Sequence, residues 1–341
     1  MSTTTIEWAT HTANPAGGCT EARLSNGTMD PACVHCYARL QSARVSAMGE
    51  SRGRTTIHDG VSERRGNTAR WTGVLRWDRE LLRRQFAAMR AGHRTFVGSM
   101  TDLWHPDHDP ALLVALAEEI RGLSRRDPEP VVITLTKRAD RLLHWQREHF
   151  PRGLPPWLWA GVTAGCQEAA DERIPLLLQV RSAGPLVLSA EPLTGPLDLT
   201  SVAFPLQSLP AHRVDALRGG YWNAEGWLGL GPSAALGAPR GGFTGHSNLG
   251  RLGWVIAGGE SGPKARPMHP AWARQLRDQC VAAGVPFFFK QWGEWEDDPG
   301  PWWDGSTWRE GPAPEPRMQR VGKRAAGRLL DGREWSEFPH V

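Results

Sequence analysis

Short apolar runs recur along the chain, each ending in polar or glycine residues and most followed by a stretch with helical spacing. The runs are Thr5–Ala9, Thr95–Gly98, Val131–Leu135, Leu158–Val162, Leu186–Ser189, Trp254–Ala257 and Pro286–Phe289. Three of the intervening stretches read as packing helices. Asp78–Arg90 carries Leu81, Leu82, Phe86 and Met89 at helical spacing, Pro110–Leu123 opens on a proline suited to a helix start, and Pro270–Ala283 places Trp272, Leu276, Cys280 and Val281 on one side. Apolar runs alternating with helices predict repeated β/α units, hence an α/β fold built on a parallel sheet or barrel.

The pattern fails in two places. From 203 to 251 the chain is rich in glycine, proline and tryptophan without sustained periodicity, which predicts an irregular insertion between the fifth and sixth β runs. Regularity is lost again beyond Trp292, through Glu294–Arg317 and into a basic, glycine-punctuated tail from Lys323 to Val341. The organisation expected is a barrel from residues 1–202 and 252–293, an insertion at 203–251 and a C-terminal extension at 294–341.

Composition narrows the setting. At 341 residues the chain can bury a sizeable core. It has five cysteines, an odd and sparse number, no signal-peptide pattern and no apolar run long enough to cross a bilayer, so we expect a cytoplasmic protein without membrane contact and with reduced thiols. Clustered cysteines in that setting are read as metal ligands. The net charge of +4 leans toward polyanionic partners but falls short of a dedicated DNA-binding arm. Arginines cluster between Arg52 and Arg94, either as a solvated helical face or as a phosphate-contacting surface. Seventeen tryptophans against two tyrosines serve cores first and base stacking second.

In a parallel β/α barrel the residues that follow each strand look into one mouth. Those candidates are Asn14 and the cysteine segment; Ser99, Thr101 and Asp102; Thr136, Lys137 and Arg138; Thr163; Ser189 and Glu191; Gly258, Gly259 and Glu260; and Lys290, Gln291 and Trp292. Cations emerging directly from apolar runs, as Lys137, Arg138 and Lys290 do, are costly to desolvate without an anionic partner or a water-filled cavity.

Cys33-Val34-His35-Cys36 is a two-spacer pair, and Cys19 follows Gly17-Gly18 after the first run, so three thiols gather in one loop. Cys280 reads as a packing residue, and Cys166 lies in a loop after Thr163. Soft thiolates suit zinc or an iron–sulfur cluster. Structural zinc is usually closed by four ligands and would have to recruit His35 or Cys166, describing a non-catalytic nucleic-acid-binding protein. Three cysteines on a [4Fe–4S] cluster leave one iron open, as is needed to chelate S-adenosylmethionine and deliver an electron to its sulfonium.

Beyond the cysteines, a co-linear series of motifs covers nearly the whole chain outside the insertion. It includes Ile6-Glu7-Trp8, Gly18-Cys19-Thr20, Cys33-Val34-His35-Cys36-Tyr37-Ala38, Ser99-Met100-Thr101-Asp102-Leu103, Leu135-Thr136-Lys137-Arg138, Ser189-Ala190-Glu191-Pro192-Leu193, Gly258-Gly259-Glu260-Ser261-Gly262 and Phe288-Phe289-Lys290-Gln291-Trp292-Gly293. The series resembles the phage-type three-cysteine-motif proteins, which look like a divergent branch of the radical S-adenosylmethionine superfamily.

The resemblance implies a partial (β/α) barrel, a [4Fe–4S] cluster on Cys19, Cys33 and Cys36, S-adenosylmethionine, an external electron donor and a 5′-deoxyadenosyl radical. Its implied substrate is a nucleic acid or nucleotide, foremost a hypermodified thymine base in phage DNA, rearranged or modified in the cytoplasm of a bacterial host. On that reading Tyr37 packs beside the cluster. Ser99, Thr101 and Asp102 hold the methionine portion of the cofactor, Thr136 lies with them, and Glu191 meets the ribose. Lys137, Glu260 and Lys290 serve the chemistry, and Arg138, Gln291 and Trp292 hold an anionic substrate. Two departures stand out. Thirteen residues, Thr20 to Ala32, separate Cys19 from Cys33 where the superfamily has three. Gly258-Gly259-Glu260 follows the sixth run, whereas the similar superfamily element follows the second strand, so its role in holding the methionine amine is not carried over to Glu260.

Overall fold

The alternation read from the sequence becomes one sheet whose strands follow chain order. The computed structural model describes residues 1–206, 209–223, 226–230, 249–297, 302–303, 308–309 and 317–340. Its main sheet runs β1 (Ser2–Thr3), β2 (His11–Ala13), β3 (Arg94–Val97), β4 (Val131–Thr136), β5 (Leu158–Thr163), β6 (Leu186–Ala190), β7 (Leu252–Gly258) and β8 (Phe287–Gln291), each beside the next. β1 is antiparallel to β2, and every later pair is parallel. Parallel strands in unbroken order send their right-handed crossovers to one face, so the helices coat one side and the sheet curls with them outside. The result is a mixed α/β fold with an eight-stranded curled half-barrel.

Side chains alternate across this sheet. Val132, Leu158, Leu188, Val255 and Phe287 belong to the main core, whereas Phe96, Ile133, Trp159, Val187, Trp254, Ile256 and Phe288 form a second cluster within the curl. Gly161 must lack a side chain, because a Cβ there would stand 2.2 Å from the carbonyl oxygen of Val187.

The helices are α1 (Pro31–Val34), α2 (Tyr37–Glu50), α3 (Arg79–Ala87), α4 (Pro110–Gly122), α5 (Ala139–His149), α6 (Gln167–Leu177) and α7 (Pro270–Ala283). The expected starts are capped as their residues dictate: the Asp78 and Asp109 side chains accept from the backbone N–H groups of Leu81 and Ala111. No helix among the described residues is long and apolar enough to cross a membrane.

Two expectations need correction. The run Thr5–Ala9 is not a strand: Ala9 N–H donates to Ile6 O in a turn, and the first parallel strand is β2. The apolar character of that run reflects Trp8, a 2% exposed plug against Phe96 and Trp254, with ring centroids 4.9 and 6.2 Å away. The insertion is not irregular throughout. Val202–Leu206, Leu209–Asp215, Gly220–Asn223 and Gly226–Leu230 form an antiparallel sheet anchored by the fully buried Val202 and Val214, while positions 231–248 lie outside the described residues. The C-terminal extension packs into the barrel. Ser336 bridges to Phe288 on β8, Phe289 N–H donates to Trp335 O at 2.9 Å, and Phe338 lies 5.4 Å from both Trp254 and Phe288.

Candidate functional site

At the carboxyl ends of the parallel strands lies a cavity of about 390 Å³. Its floor is apolar, with Trp8, Phe96 and Leu135, and its walls carry the polar strand ends together with Cys19, Cys33 and Cys36.

The cysteine loop is assembled by a few specific contacts. Gly18, at φ +92°, brings the chain so close to Val74 that a Cβ would stand 2.2 Å from its carbonyl oxygen. The thirteen-residue spacer then folds back on itself. Leu24 is buried in the main core and donates through its N–H to Thr28 O, and Asp30 N–H donates to Ala22 O, both at 2.9 Å. This return brings Cys33 home: Ala22 N–H donates to Cys33 Sγ at 3.4 Å. The long spacer is therefore a closed excursion compatible with gathering the three thiols. Asp30 caps α1 by accepting from Ala32 N–H at 2.7 Å and pairs with Arg173 on α6, both side chains being buried. Arg173 also donates to Thr163 O at 2.6 Å, and Glu172 accepts from Ser25 N–H, so α6 pins the loop to the end of β5. Cys36 sits at the start of α2.

Three charged arrangements surround the thiols. Asp102 accepts from Thr136 Oγ1 (2.7 Å), Arg138 Nη1 (2.8 Å), Lys137 N–H (3.0 Å) and Trp104 N–H (3.1 Å). Burial works against its ionisation, but the Arg138 charge and these hydrogen bonds outweigh it and hold the carboxyl below its ordinary pKa. Glu191 accepts from Trp8 Nε1 at 3.1 Å and Ser189 Oγ at 3.2 Å, and pairs with Lys290 Nζ at 2.8 Å. Glu260 is gripped through both oxygens by Arg266 (2.9 and 3.0 Å) and lies 3.1 Å from His35 Nδ1. Its pKa is lowered because those bonds outweigh burial. Burial raises the Cys33 thiol and, with a contribution from Asp102, pushes Cys19 up to about 12, so in the metal-free chain both thiols are protonated at neutral pH.

The cavity gathers nearly all the residues expected from the sequence: Cys19, Cys33, Cys36, Tyr37, Ser99, Thr101, Asp102, Thr136, Lys137, Arg138, Glu191, Glu260, Lys290 and Gln291. Trp292 does not join them. It is buried in the main core with its Nε1 donating to Leu329 O at 2.8 Å. Several members are committed to holding the site together. Thr101 Oγ1 donates to Gly18 O, Tyr37 OH donates to Ser99 O, and Gln291 Nε2 donates to Gly259 O. Sequence reasoning missed Glu7 and Lys323, a 3.1 Å ion pair on the cavity wall, as well as Trp71 on its lining and the clamp role of His35. Glu7 stands inside a recognised motif, but its partner 316 residues later carries no local signal. Cys280 is fully buried in α7, as expected, and all five cysteines are free. Among the described residues no three His, Cys, Asp or Glu side chains are gathered closely enough to share one metal ion.

Residues 3–339 match the family described as a protein of unknown function, DUF5131, and the chain belongs to that family. No curated protein and no solved structure matches the chain.

Proposed function

We propose that this DUF5131 member is a radical S-adenosylmethionine enzyme that acts on a nucleotide or a nucleic-acid base, foremost a modified thymine in DNA. The observation that carries the proposal is the presence of three free thiols, Cys19, Cys33 and Cys36, in one strand-end cavity with an apolar floor and charged groups on its walls. The donor set suits a [4Fe–4S] cluster. Three soft thiols would each take a different iron, whereas a single zinc ion needs every sulfur within about 2.3 Å of one point. Bound there with one open iron, such a cluster supplies the reductive cleavage of S-adenosylmethionine to a 5′-deoxyadenosyl radical.

The remaining residues have roles their contacts support. Asp102, with Thr136 and Arg138, holds the Cys19 loop against the ends of β3 and β4, since Arg138 also reaches Thr20 O at 3.4 Å. Glu260 and Arg266 hold the Cys33–Cys36 segment through His35 and through Pro31 O, which accepts from Arg266 at 2.7 Å. That leaves two charged pairs facing a ligand, Glu191 with Lys290 and Glu7 with Lys323, over a floor whose aromatic rings exclude water from reactive carbon. A cavity of this volume falls within the range of small-ligand sites and takes a group of nucleoside size. Trp71, opposite Ser62 at the open end of the hairpin formed by Ser62–Arg65 and Thr68–Trp71, offers a stacking surface at the cavity, and the same hairpin carries the exposed Arg64 and Arg65 toward its turn. A base in duplex DNA would have to be flipped out to enter, at a cost of roughly a few kcal/mol.

The test is anaerobic purification with iron and sulfide reconstitution, followed by assay of 5′-deoxyadenosine after addition of S-adenosylmethionine and dithionite. We expect a brown protein that forms 5′-deoxyadenosine, and a Cys33→Ala variant that loses both the colour and the product. A colourless chain that holds one zinc and cleaves nothing would refute the proposal and support a zinc-stabilised nucleic-acid-binding protein.

A further inference from the structure

Nearly every ionised group around the cavity has a partner of opposite charge. Arg138 pairs with Asp102 and Lys290 with Glu191, each at 2.8 Å, and Lys323 pairs with Glu7 at 3.1 Å. Glu260 is held by Arg266 and His35. Lys137 is the exception: among the described residues its ammonium makes no hydrogen bond or ion pair, although the residue is half-buried and lines the cavity. An unpaired cation so placed is costly unless negative charge arrives from elsewhere.

The surroundings of Lys137 identify where that charge arrives. The acidic groups close enough to act on it are Cys33, Asp30 and Cys36, the two thiols only once they are deprotonated by a metal centre, and Asp30 is already neutralised by Arg173. The two sulfurs are left. Lys290, also on the cavity lining, is paired with Glu191 and has Glu7 as its other acidic neighbour, so the two lysines have different surroundings.

We propose that Lys137 is the fixed counter-charge of the cysteine ligands, a positioning residue for the metal centre and not a substrate contact. The inference rests on the function proposed above. Metal-binding thiolates carry negative charge that a half-buried cavity disfavours, and the burden grows when the centre accepts an electron. A permanent ammonium beside Cys33 and Cys36 offsets both.

The test uses the full chain, reconstituted anaerobically, as wild type and as Lys137→Gln and Lys137→Arg. Iron and sulfide retained after gel filtration are measured, together with the midpoint of a redox titration followed by electron paramagnetic resonance. We expect Lys137→Gln to shift the midpoint to more negative potential and to lose iron faster, and Lys137→Arg to restore both. Lys137→Met, which keeps the stem and removes the charge, replaces the glutamine variant if that one fails to fold. A neutral variant with the wild-type midpoint and iron retention overturns the inference. If its sole defect were weaker binding of S-adenosylmethionine by calorimetry, the ammonium would belong to that ligand. A wild-type chain that takes up no iron would instead remove the proposed function, and this inference with it.

Discussion

Asp102→Asn isolates the contact on which the cavity depends. The amide preserves the shape and leaves one oxygen to accept from Thr136 and Trp104, but it turns an NH2 group toward Lys137 N–H and the Arg138 guanidinium, which bond the other carboxylate oxygen at 3.0 and 2.8 Å. One backbone donor loses its acceptor and one cation, 14% exposed, loses its counter-ion. Stranding a buried donor costs about 1–3 kcal/mol and breaking a buried ion pair from one side about 3–5 kcal/mol; the two overlap, so we expect roughly 4 kcal/mol. Urea unfolding of the metal-free chain measures it, within a cycle that includes Arg138→Met and the double variant. The double variant should cost less than the sum of the singles, because neither charge is then stranded. A loss below about 1 kcal/mol in Asp102→Asn, or strict additivity, would refute the claim that this pair organises the ends of β3 and β4.

Two further outcomes follow from the same contacts. Asp102 and Glu260 both have folded-state pKa values below their ordinary ones, so each contributes stability that is fully present above its unfolded pKa, near 4, and is lost as pH falls through its lower folded value. Buried His58, His105 and His108, whose pKa values burial lowers, already erode the urea midpoint of the metal-free chain below about pH 6.5, and Asp102 and Glu260 should add a further fall below about pH 4 that is shallower in a variant carrying Asp102→Asn and Glu260→Gln; equal slopes below about pH 4 would exclude both residues as its cause. Phe338→Ala removes a ring packed against Trp254 and Phe288 with the Arg94 guanidinium 4.2 Å from its centroid, and should cost about 2 kcal/mol for a half-buried aromatic. An effect under about 0.5 kcal/mol in the same unfolding assay would show that the tail is not part of the barrel core.

The strand order of the barrel was largely legible because burial on both faces writes itself locally. Val131–Leu135, Leu158–Val162 and Leu186–Ser189 are apolar whichever way their side chains point, and each became β4, β5 or β6 with its end extended by one residue. The candidate cavity was legible for a related reason: residues at the ends of parallel strands converge by geometry alone, so Lys137, Glu191, Glu260 and Lys290 could be grouped before any contact was known. Trp292 shows the limit of that rule. It follows β8 directly but turns into the core, where Leu329 O accepts its indole N–H.

The sequence by itself determined the parallel β/α order, the packing helices and the three thiols of one loop, all of which depend on residue type and spacing within a short window. Only the tertiary structure decided which charges are spent. Asp102 is consumed by Arg138, Glu260 by Arg266 and His35, and Glu7 finds Lys323 at the far end of the chain, whereas the Lys137 ammonium has no ion pair among the described residues. Apolar burial acts through each residue's own surface and so follows local pattern, but an ion pair needs two particular atoms brought within a few ångströms, and chain separation carries no record of that.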